Sequence, residues 1–504
     1  MKKLLLLILL IYQISIGQQT GILDTTYSQD GWDERYGHDN GFYLHETLVQ
    51  PDGKLLVCFQ GNFSNEGHQA MIFRYNTNGS HDVTFGGGDG VVKSVEDDLE
   101  AEETLWTRAN GMALQSEGKI IVVGDAFYSD ERIIRYNPDG SLDPAFGLNG
   151  KVDMPREYQE YLLKVIVQSD DKIVVLGKHN VPDSPDLFLW RFLANGALDT
   201  NFGSAGKIVI PVFGNPLSES ELIAFKQIPG DKMILSRNLV IDGAESLVVQ
   251  RLNANGTIDF TFGTNGQFSH LNAGGSGFTI GDDGSIFFTA LEADEFGDVV
   301  YSILKTTPDG FLIPDFEILP GQNFGTGAFP SQIVSRGNLL YAWAVNPDVE
   351  AAPALYCYNA NGTPVSSFGN NGKAIIEIPD ILWGQGGLMT TTSSGNILGA
   401  TTTNDPETSD HNLFTFSIVG ESQLNVDDQK AATIVLSPNP CEGQFSVISD
   451  MLQIDKILVY DAVGRLVKSG SSGNHVDIST LASGIYSVEI ISGHTKSAKK
   501  IINK

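Results

Sequence analysis

Cysteine is scarce in this chain, three residues in 504: Cys58, Cys357 and Cys441. The number is odd, the three lie far apart, and no two have metal-ligand spacing. Neither a disulfide framework nor a cysteine zinc site therefore holds the fold. Cys58 and Cys357 fall inside apolar, strand-like runs and read as buried, inert thiols. Positive charge is short as well: 32 Lys and Arg stand against 61 Asp and Glu, a net −29. The opening segment carries +2 and the stretch from Thr433 onward +1, which leaves −32 for the middle. That acidity repels phosphate backbones and makes nucleic acid a poor partner; its plain use is to keep a protein dispersed. Helix-favouring runs are few. After the first 16 residues no apolar run is long enough to span a bilayer. Catalytic signatures are missing too: there is no Gly-x-Ser-x-Gly elbow, no His-Glu-x-x-His and no phosphate loop. The nine histidines are scattered, and His45-Glu46 lacks the second histidine of a zinc helix.

What is present points to β-structure. Glycine is frequent, 55 residues, and hydrophobic residues make up 41%, enough for a core with many turns. Met1 to Gly17 reads as a signal peptide: Lys2 and Lys3, an apolar run from Leu4 to Ile16, then Ser15 and Gly17 as small residues before a cut at Gln18. No cysteine follows the run to accept a lipid.

An internal repeat organises the middle. Asn137-Pro-Asp-Gly-Ser-Leu-Asp-Pro-Ala-Phe-Gly147 recurs at Asn76 to Gly86, Leu193 to Gly203, Asn253 to Gly263 and Asn359 to Gly369, with a worn copy from Thr307 to Phe316. The shared Phe positions (85, 146, 202, 262, 316 and 368) are spaced by 52 to 61 residues. Leu114-Gln-Ser-Glu-Gly-Lys-Ile-Ile-Val-Val-Gly124 alternates with it and has partners near Val49, Val167, Lys226, Thr279, Ile333 and Thr391. A short apolar strand precedes each Asn-x-Asp-Gly turn. Each unit then reads as four strands, A to D, with tight Gly-containing turns joining A to B and C to D. Seven such units predict an all-β fold, a seven-bladed β-propeller of four-stranded blades over 18–420. The seventh unit lacks its Leu-Asp-x-x-Phe segment, and Gly21-Ile-Leu-Asp-Thr-Thr-Tyr27 supplies it. A strand from the N-terminus is thus expected to complete the last blade and hide its edge.

These repeats resemble the delta-60 repeat family of bacterial exported proteins, over roughly Gly21 to Gly420. The resemblance implies a propeller-like fold. The fifth copy, Asp309-Gly-Phe-Leu-Ile-Pro-Asp-Phe316, departs from the pattern by lacking the following Gly.

Beyond a linker at 421–432 the pattern changes. Over 433–504, regular alternation and turns predict a small immunoglobulin-like β-sandwich. This stretch resembles the type A sorting domain of type IX secretion. The matches are Pro438, Asn439 and Pro440; Tyr460, Asp461, Gly464 and Arg465; Gly484 and Tyr486; and the basic end with Lys499 and Lys500. The resemblance implies export by the type IX secretion machinery, recognition by its sortase, and a secreted or outer-membrane surface-attached location in a diderm bacterium.

Function in the body is expected on one rim. The B–C and D–A loops share it, vary among units, and hold most loop acids: Glu96, Asp97, Asp98, Glu100, Glu102 and Glu103 lie in a single loop. Trp32, Tyr36, Trp106, Tyr128 and Trp383 fall there as well. Acidic loops with aromatics suit a surface glycan or protein ligand. The leading expectation is a non-enzymatic binding or adhesion module with no cofactor. The alternatives are a propeller hydrolase or lyase with a channel-mouth site, and a structural surface component. Calcium is the one cofactor the repeat admits, through Asn137, Asp139 and Asp143 around Gly140. The loop lacks the later bidentate Glu, so turn capping by Asp143 and its equivalents Asp82, Asp199 and Asp259 is the stronger reading.

Overall fold

The B strand of each repeat is apolar on both faces, and both faces are used. In Leu55–Phe63, Leu56 and Cys58 join a core with Ala109, Met112, Ile120 and Val122 of the next repeat. Their alternates Leu55, Val57 and Phe59 join a different core with Leu398, Ala400 and Leu413 of the last repeat. Ile120 and Val122 face one neighbour while Ile121 and Val123 face the other. A strand buried on both sides needs no polar alternation, which is why these segments read as continuous hydrophobic runs.

The computed structural model describes residues 20–35, 42–63, 67–93, 108–125, 131–154, 160–179, 187–211, 221–241, 243–275, 277–293, 299–318, 329–345, 353–376, 382–404, 411–421, 435–448, 456–461, 465–471, 475–492 and 495–504. Among them there is no helix. The chain divides into two units, Met1–Ser422 and Gln423–Lys504.

Among the described residues, the first unit contains seven antiparallel sheets. Each begins with a strand that touches the opening strand of the sheet before it and of the sheet after it. Phe42–Val49 meets Arg108–Leu114, which meets Glu160–Val167, which meets Glu221–Ile228. The fifth sheet has its opening edge split into Ala273–Gly274 and Phe278–Ile280, and Lys226 Nζ of the fourth sheet donates to Phe278 O at 2.7 Å. Phe278–Ile280 touches Phe329–Arg336, which touches Leu382–Thr391, which returns to Phe42–Val49. The opening strands therefore line the inside of a closed ring, and the fold is an all-β propeller.

The seventh sheet is completed from the N-terminus. Trp32–Arg35 pairs antiparallel with His411–Ile418, Trp32 opposite Phe416 and Arg35 opposite Leu413. The repeat-like Leu23-Asp24 segment is not itself the paired strand. It forms the connection that precedes it, with Asp24 N donating to Ser417 O at 2.8 Å and Asp24 Oδ1 accepting from Thr26 N at 3.0 Å.

The same distinction corrects the expected tight C–D turn. A–B connections are tight: Gln50 N donates to Lys54 O at 2.8 Å around Gly53, whose φ is +85°. C–D connections are long in most sheets; the fifth keeps a tight one, residues 307–311 between Val299–Thr306 and Leu312–Ile318, with Thr307 N donating to Phe311 O at 2.8 Å. Gly67–Tyr75 leads into Asn76–Gly90 before Val91–Lys93 pairs back on it. The Asn-x-Asp-Gly turn opens this connection, and the Leu-Asp-x-x-Phe-Gly part folds under it. The strand signal was weak because the returning strand has only three or four residues in most sheets.

The second unit has two sheets around one core. Val435–Ser437, Gln444–Ile448 and His475–Asp477 form one sheet; Leu466–Ser471, Lys456–Tyr460, Gly484–Ser492 and Thr495–Asn503 form the other. Phe445, Val447 and Val476 of the first pack with Ile457, Val459, Val488 and Ile490 of the second.

Candidate functional site

The long C–D connections give the repeat motif its purpose. In the second sheet, Asp143 Oδ1 accepts from Ala145 N at 3.1 Å, and its Oδ2 is shared by Lys119 Nζ and Arg135 Nε, both at 2.8 Å. Arg135 also lies over the Phe146 ring, 4.6 Å from its centre. The same arrangement holds for Lys54, Arg74, Asp82 and Phe85, and for Lys232, Arg251, Asp259 and Phe262. Arg191, Asp199 and Phe202 repeat it without the lysine, because Lys172 turns to Asp170. Burial pushes the Asp82 and Asp259 carboxyls up. Hydrogen bonds from Lys54 and Lys232 and from Thr84 and Thr261, with the arginine charges, outweigh it and hold both well below the ordinary 3.8.

Asn137, Asp139 and Asp143 are therefore engaged within the turn. Asp139 Oδ1 accepts from Ser141 N and Oγ at 2.9 and 2.7 Å, and Asn137 Nδ2 donates to Ser141 Oγ at 3.0 Å. Asp143 already has two cations. Among the described residues, no group of three or more His, Cys, Asp or Glu could hold a metal ion.

The motif also latches neighbouring sheets together. Gly86 N donates to Asp139 O at 3.0 Å, Gly147 N to Asn195 O at 2.9 Å and Gly263 N to Asp309 O at 2.6 Å. The ring of each repeat's Phe sits under the turn glycine of the following repeat. A Cβ on Gly256 would lie 2.5 Å from Phe202, and one on Gly310 2.6 Å from Phe262. The N-terminal segment serves both sides of the last junctions. Gly369 N donates to Thr20 O at 3.0 Å, and Ser28 N donates to Asn78 O at 2.6 Å. Tyr27 replaces the Phe, under Gly79, with its hydroxyl donating to Thr415 Oγ1 at 3.1 Å.

Of the rim aromatics, Trp32 is placed in the completing strand, where it stacks on Phe414 at 5.2 Å and packs against the core of the last two sheets. The Trp383 backbone pairs with Thr403 in the inner strand of the seventh sheet. Tyr36, Trp106 and Tyr128 lie outside the described residues, as does the acidic loop Glu96 to Glu103.

Inside the ring lies a set that sequence reasoning missed. Lys164 Nζ, from the third sheet, meets Glu46 Oε2 of the first at 3.1 Å and donates to His45 O at 3.1 Å. The inner strand of the second sheet stands between them in the ring order, so this pair reaches across the interior. Gly111, the second sheet's residue at that level, leaves it room: a Cβ there would be 3.1 Å from Lys164 Cα. Lys226 joins them through the charges it feels. Burial pushes its ammonium down to about 8, Glu46 raises it and Lys164 lowers it further. The only sequence signal was a charged residue inside an otherwise apolar inner strand.

In the second unit the proposed sorting residues converge on the last strand. Asn439 Nδ2 donates to Lys500 O at 2.8 Å, and its Oδ1 accepts from Ile502 N at 3.0 Å. It lies between Pro438 and Pro440, both preceded by cis peptide bonds. Asp461 accepts from Arg465 N at 2.9 Å and from its Nε at 2.8 Å, closing the turn after Tyr460; Gly464, inside that turn, is outside the described residues. Gly484 pairs with Asn503, Lys499 with Val488 and Lys500 with Ser487. Tyr486 is buried and donates to Ala482 O at 2.7 Å. Asn503 was not anticipated. It is buried, its Oδ1 accepts from Gly443 N at 2.8 Å, and its Nδ2 donates to Leu481 O at 3.1 Å.

Residues 436–504, which hold all of these contacts, match the family described as a secretion system C-terminal sorting domain. Residues 50–85, 115–146 and 168–202 match a domain of unknown function (DUF5122) beta-propeller. The chain is a propeller-repeat protein with a secretion sorting tail. That tail directs export by type IX secretion, to the cell surface or the medium, and implies contact with its machinery. No curated protein matches this sequence. Among solved structures, the propeller protein is similar to the polysaccharide lyase Uly1 (11% identity, TM-score 0.48, covering 80% of this chain and 98% of that one). It is also similar to prolyl oligopeptidase B from Galerina marginata (9% identity, TM-score 0.37, covering 72% and 46%). These likenesses are distant and carry nothing about activity.

Proposed function

We propose that this exported propeller is a non-enzymatic binding module at the cell surface, taking a glycan or protein on the rim formed by its B–C and D–A loops. The supporting observation is the contrast between its two sets of connections. The A–B and C–D side is occupied by its own latches: Asp82, Asp143, Asp199 and Asp259 are each paired with a cation of the fold. The B–C connections vary in length, from two residues at 242–243 to seven at 180–186 and 346–352. Variable loops on a rigid scaffold are where recognition resides.

The test is a screen of the full chain against glycans and surface proteins, followed by Trp106→Ala and Trp383→Ala on the best ligand. Each stacking ring contributes roughly 1 kcal/mol, about fivefold in Kd. Weaker binding with an unchanged melting temperature supports the rim reading. Unchanged affinity places the ligand elsewhere. Cleavage of the ligand by the wild type would make the protein a hydrolase or lyase instead.

A further inference from the structure

The tail carries apolar residues where its own core has no use for them. In its four-stranded sheet Tyr486, Val488 and Ile501 face the core. Side chains alternate along a strand, so Ile485 and Ile502 face the other way. The two are paired directly opposite each other and are 52% and 40% exposed. Register places Leu466 on that same outer face, through Tyr460 and Ser487, and it is 53% exposed. An antiparallel sheet with one solvated face ordinarily puts polar residues there. The charge of this face also departs from the protein's net −29. By register Lys456, Lys496 and Lys500 lie on it, and Glu489 is the one acid its strands place there.

We propose that this outer face, centred on Ile485 and Ile502, is where the tail docks on an acidic, apolar protein surface of the export machinery. The inference rests on the tail's role in type IX secretion and is separate from the rim of the ring. Several sorting residues are used by the tail's own fold: Asn439 holds the last strand, Asp461 closes its turn and Tyr486 is buried. Lys500, and the Ile485 that stands between Gly484 and Tyr486, are exposed on the outer face instead. Charge decides which partner fits. The middle of the chain carries −32, so an acidic partner repels the cargo and attracts this end of the molecule. A basic partner would be drawn to the ring. Once the charges have oriented the tail, the exposed aliphatics supply the contact that excludes water. A lipid surface fits less well, because register places no Trp or Phe on this face, the residues that anchor proteins at the bilayer interface.

The experiment compares export of the full chain in cells with its behaviour after purification. Ile485→Ser with Ile502→Ser removes the apolar contact, and Lys456→Glu with Lys500→Glu reverses the charge. Each double variant is expected to keep the tail's melting transition and to lower the exported fraction about tenfold. The fraction is read by fractionating pulse-labelled cells, and the retained protein should collect in the periplasm. Should the serines weaken the fold, Ile485→Thr with Ile502→Thr keeps the β-branched shape and gives the same reading. Normal export of the folded variants overturns the docking face. Truncation at Thr433 runs beside them. Export of the truncated form refutes the tail's role altogether, whereas a blocked truncation with normally exported variants refutes this face alone. Two measurements on the purified full chain address other occupants: gel filtration across a concentration range, and flotation with liposomes of outer-membrane lipids. A monomer that leaves the liposomes unbound is the expected result. A dimer, or lipid binding, that the serine variant abolishes would give the face to a second copy or to the membrane and overturn the proposal.

Discussion

At the scale of single residues, the repeated acid is the most constrained feature of the ring. Asp259 and Arg251 both have side chains at least 93% buried, and Lys232 closes the triad. A buried ion pair adds little by itself, but removing one partner strands the other. Asp259→Ala should therefore cost about 3 kcal/mol or more in urea unfolding at neutral pH. Asp259→Asn keeps an oxygen for the Thr261 cap while losing the charge, and should cost less than the alanine variant. The pH dependence has a definite sign. The folded carboxyl sits below its ordinary 3.8, so the folded state releases its proton more readily than the unfolded one. Its stabilisation is complete above about pH 4 and fades as pH falls below that value toward the folded midpoint. The gap between wild type and Asp259→Asn should shrink over that acid range; a gap that stays constant would show that the charge is not what Asp259 contributes. The Asp at this position was legible in the sequence as a turn cap. Its arginine partner was not, because it lies eight residues earlier on a strand whose apolar character dominates the reading.

At the scale of elements, the ring is closed by a segment from the far end of its own chain. The absent Leu-Asp-x-x-Phe copy after the seventh unit made this readable in advance. Which residues would pair was not, since Trp32-Asp-Glu-Arg35 has no apolar alternation to mark it as a strand. The two junctions made by residues 20–28 rest on backbone hydrogen bonds, one side-chain bond from Thr20 Oγ1 to Ser367 O at 3.1 Å, and one buried ring, and the ring requires a glycine opposite. Gly79 has a φ of +78° and would place a Cβ 2.6 Å from Tyr27. Gly79→Ala thus meets a strained backbone and a clash together, and should destabilise the ring by roughly 1–3 kcal/mol. Deletion of residues 20–35 should do more. It exposes the edge of His411–Ile418 and empties the core around Tyr27, lowering the melting midpoint measured by circular dichroism and promoting association through the bare strand. An unchanged midpoint would mean the N-terminal strand is dispensable. The inner lysines were the least legible part of the candidate site: Glu46 and Lys164 are 118 residues apart, and only ring closure makes them neighbours.

At the scale of the whole molecule, the chain divides into two compact units. The ring's cores are built from ring residues, and the tail's core of Leu436, Phe445, Val459, Val488 and Ile501 is built from tail residues. Among the described residues each core draws on its own unit, and removing the tail is expected to leave the ring folded. The tail in turn is organised around its own last strand. Asn439 grips the backbone of Lys500 and Ile502, and Asn503 ties the strand to Gly443 and Leu481. A strand held by side chains on both flanks keeps its shape without help from the ring, as an export signal must if it is to be read apart from its cargo. Truncation at Thr433 should accordingly separate two properties. Cell fractionation should find the shortened protein in the periplasm, absent from the surface and the medium, while its melting temperature after purification equals that of the ring in the full chain. Normal export of the truncated form would refute the role of the tail. A lowered melting temperature would refute the autonomy of the ring. Asn503→Ala in the full chain sharpens the distinction: it leaves every ring residue in place, so a fall in export with an unchanged ring melting transition locates the signal in the fold of the last strand.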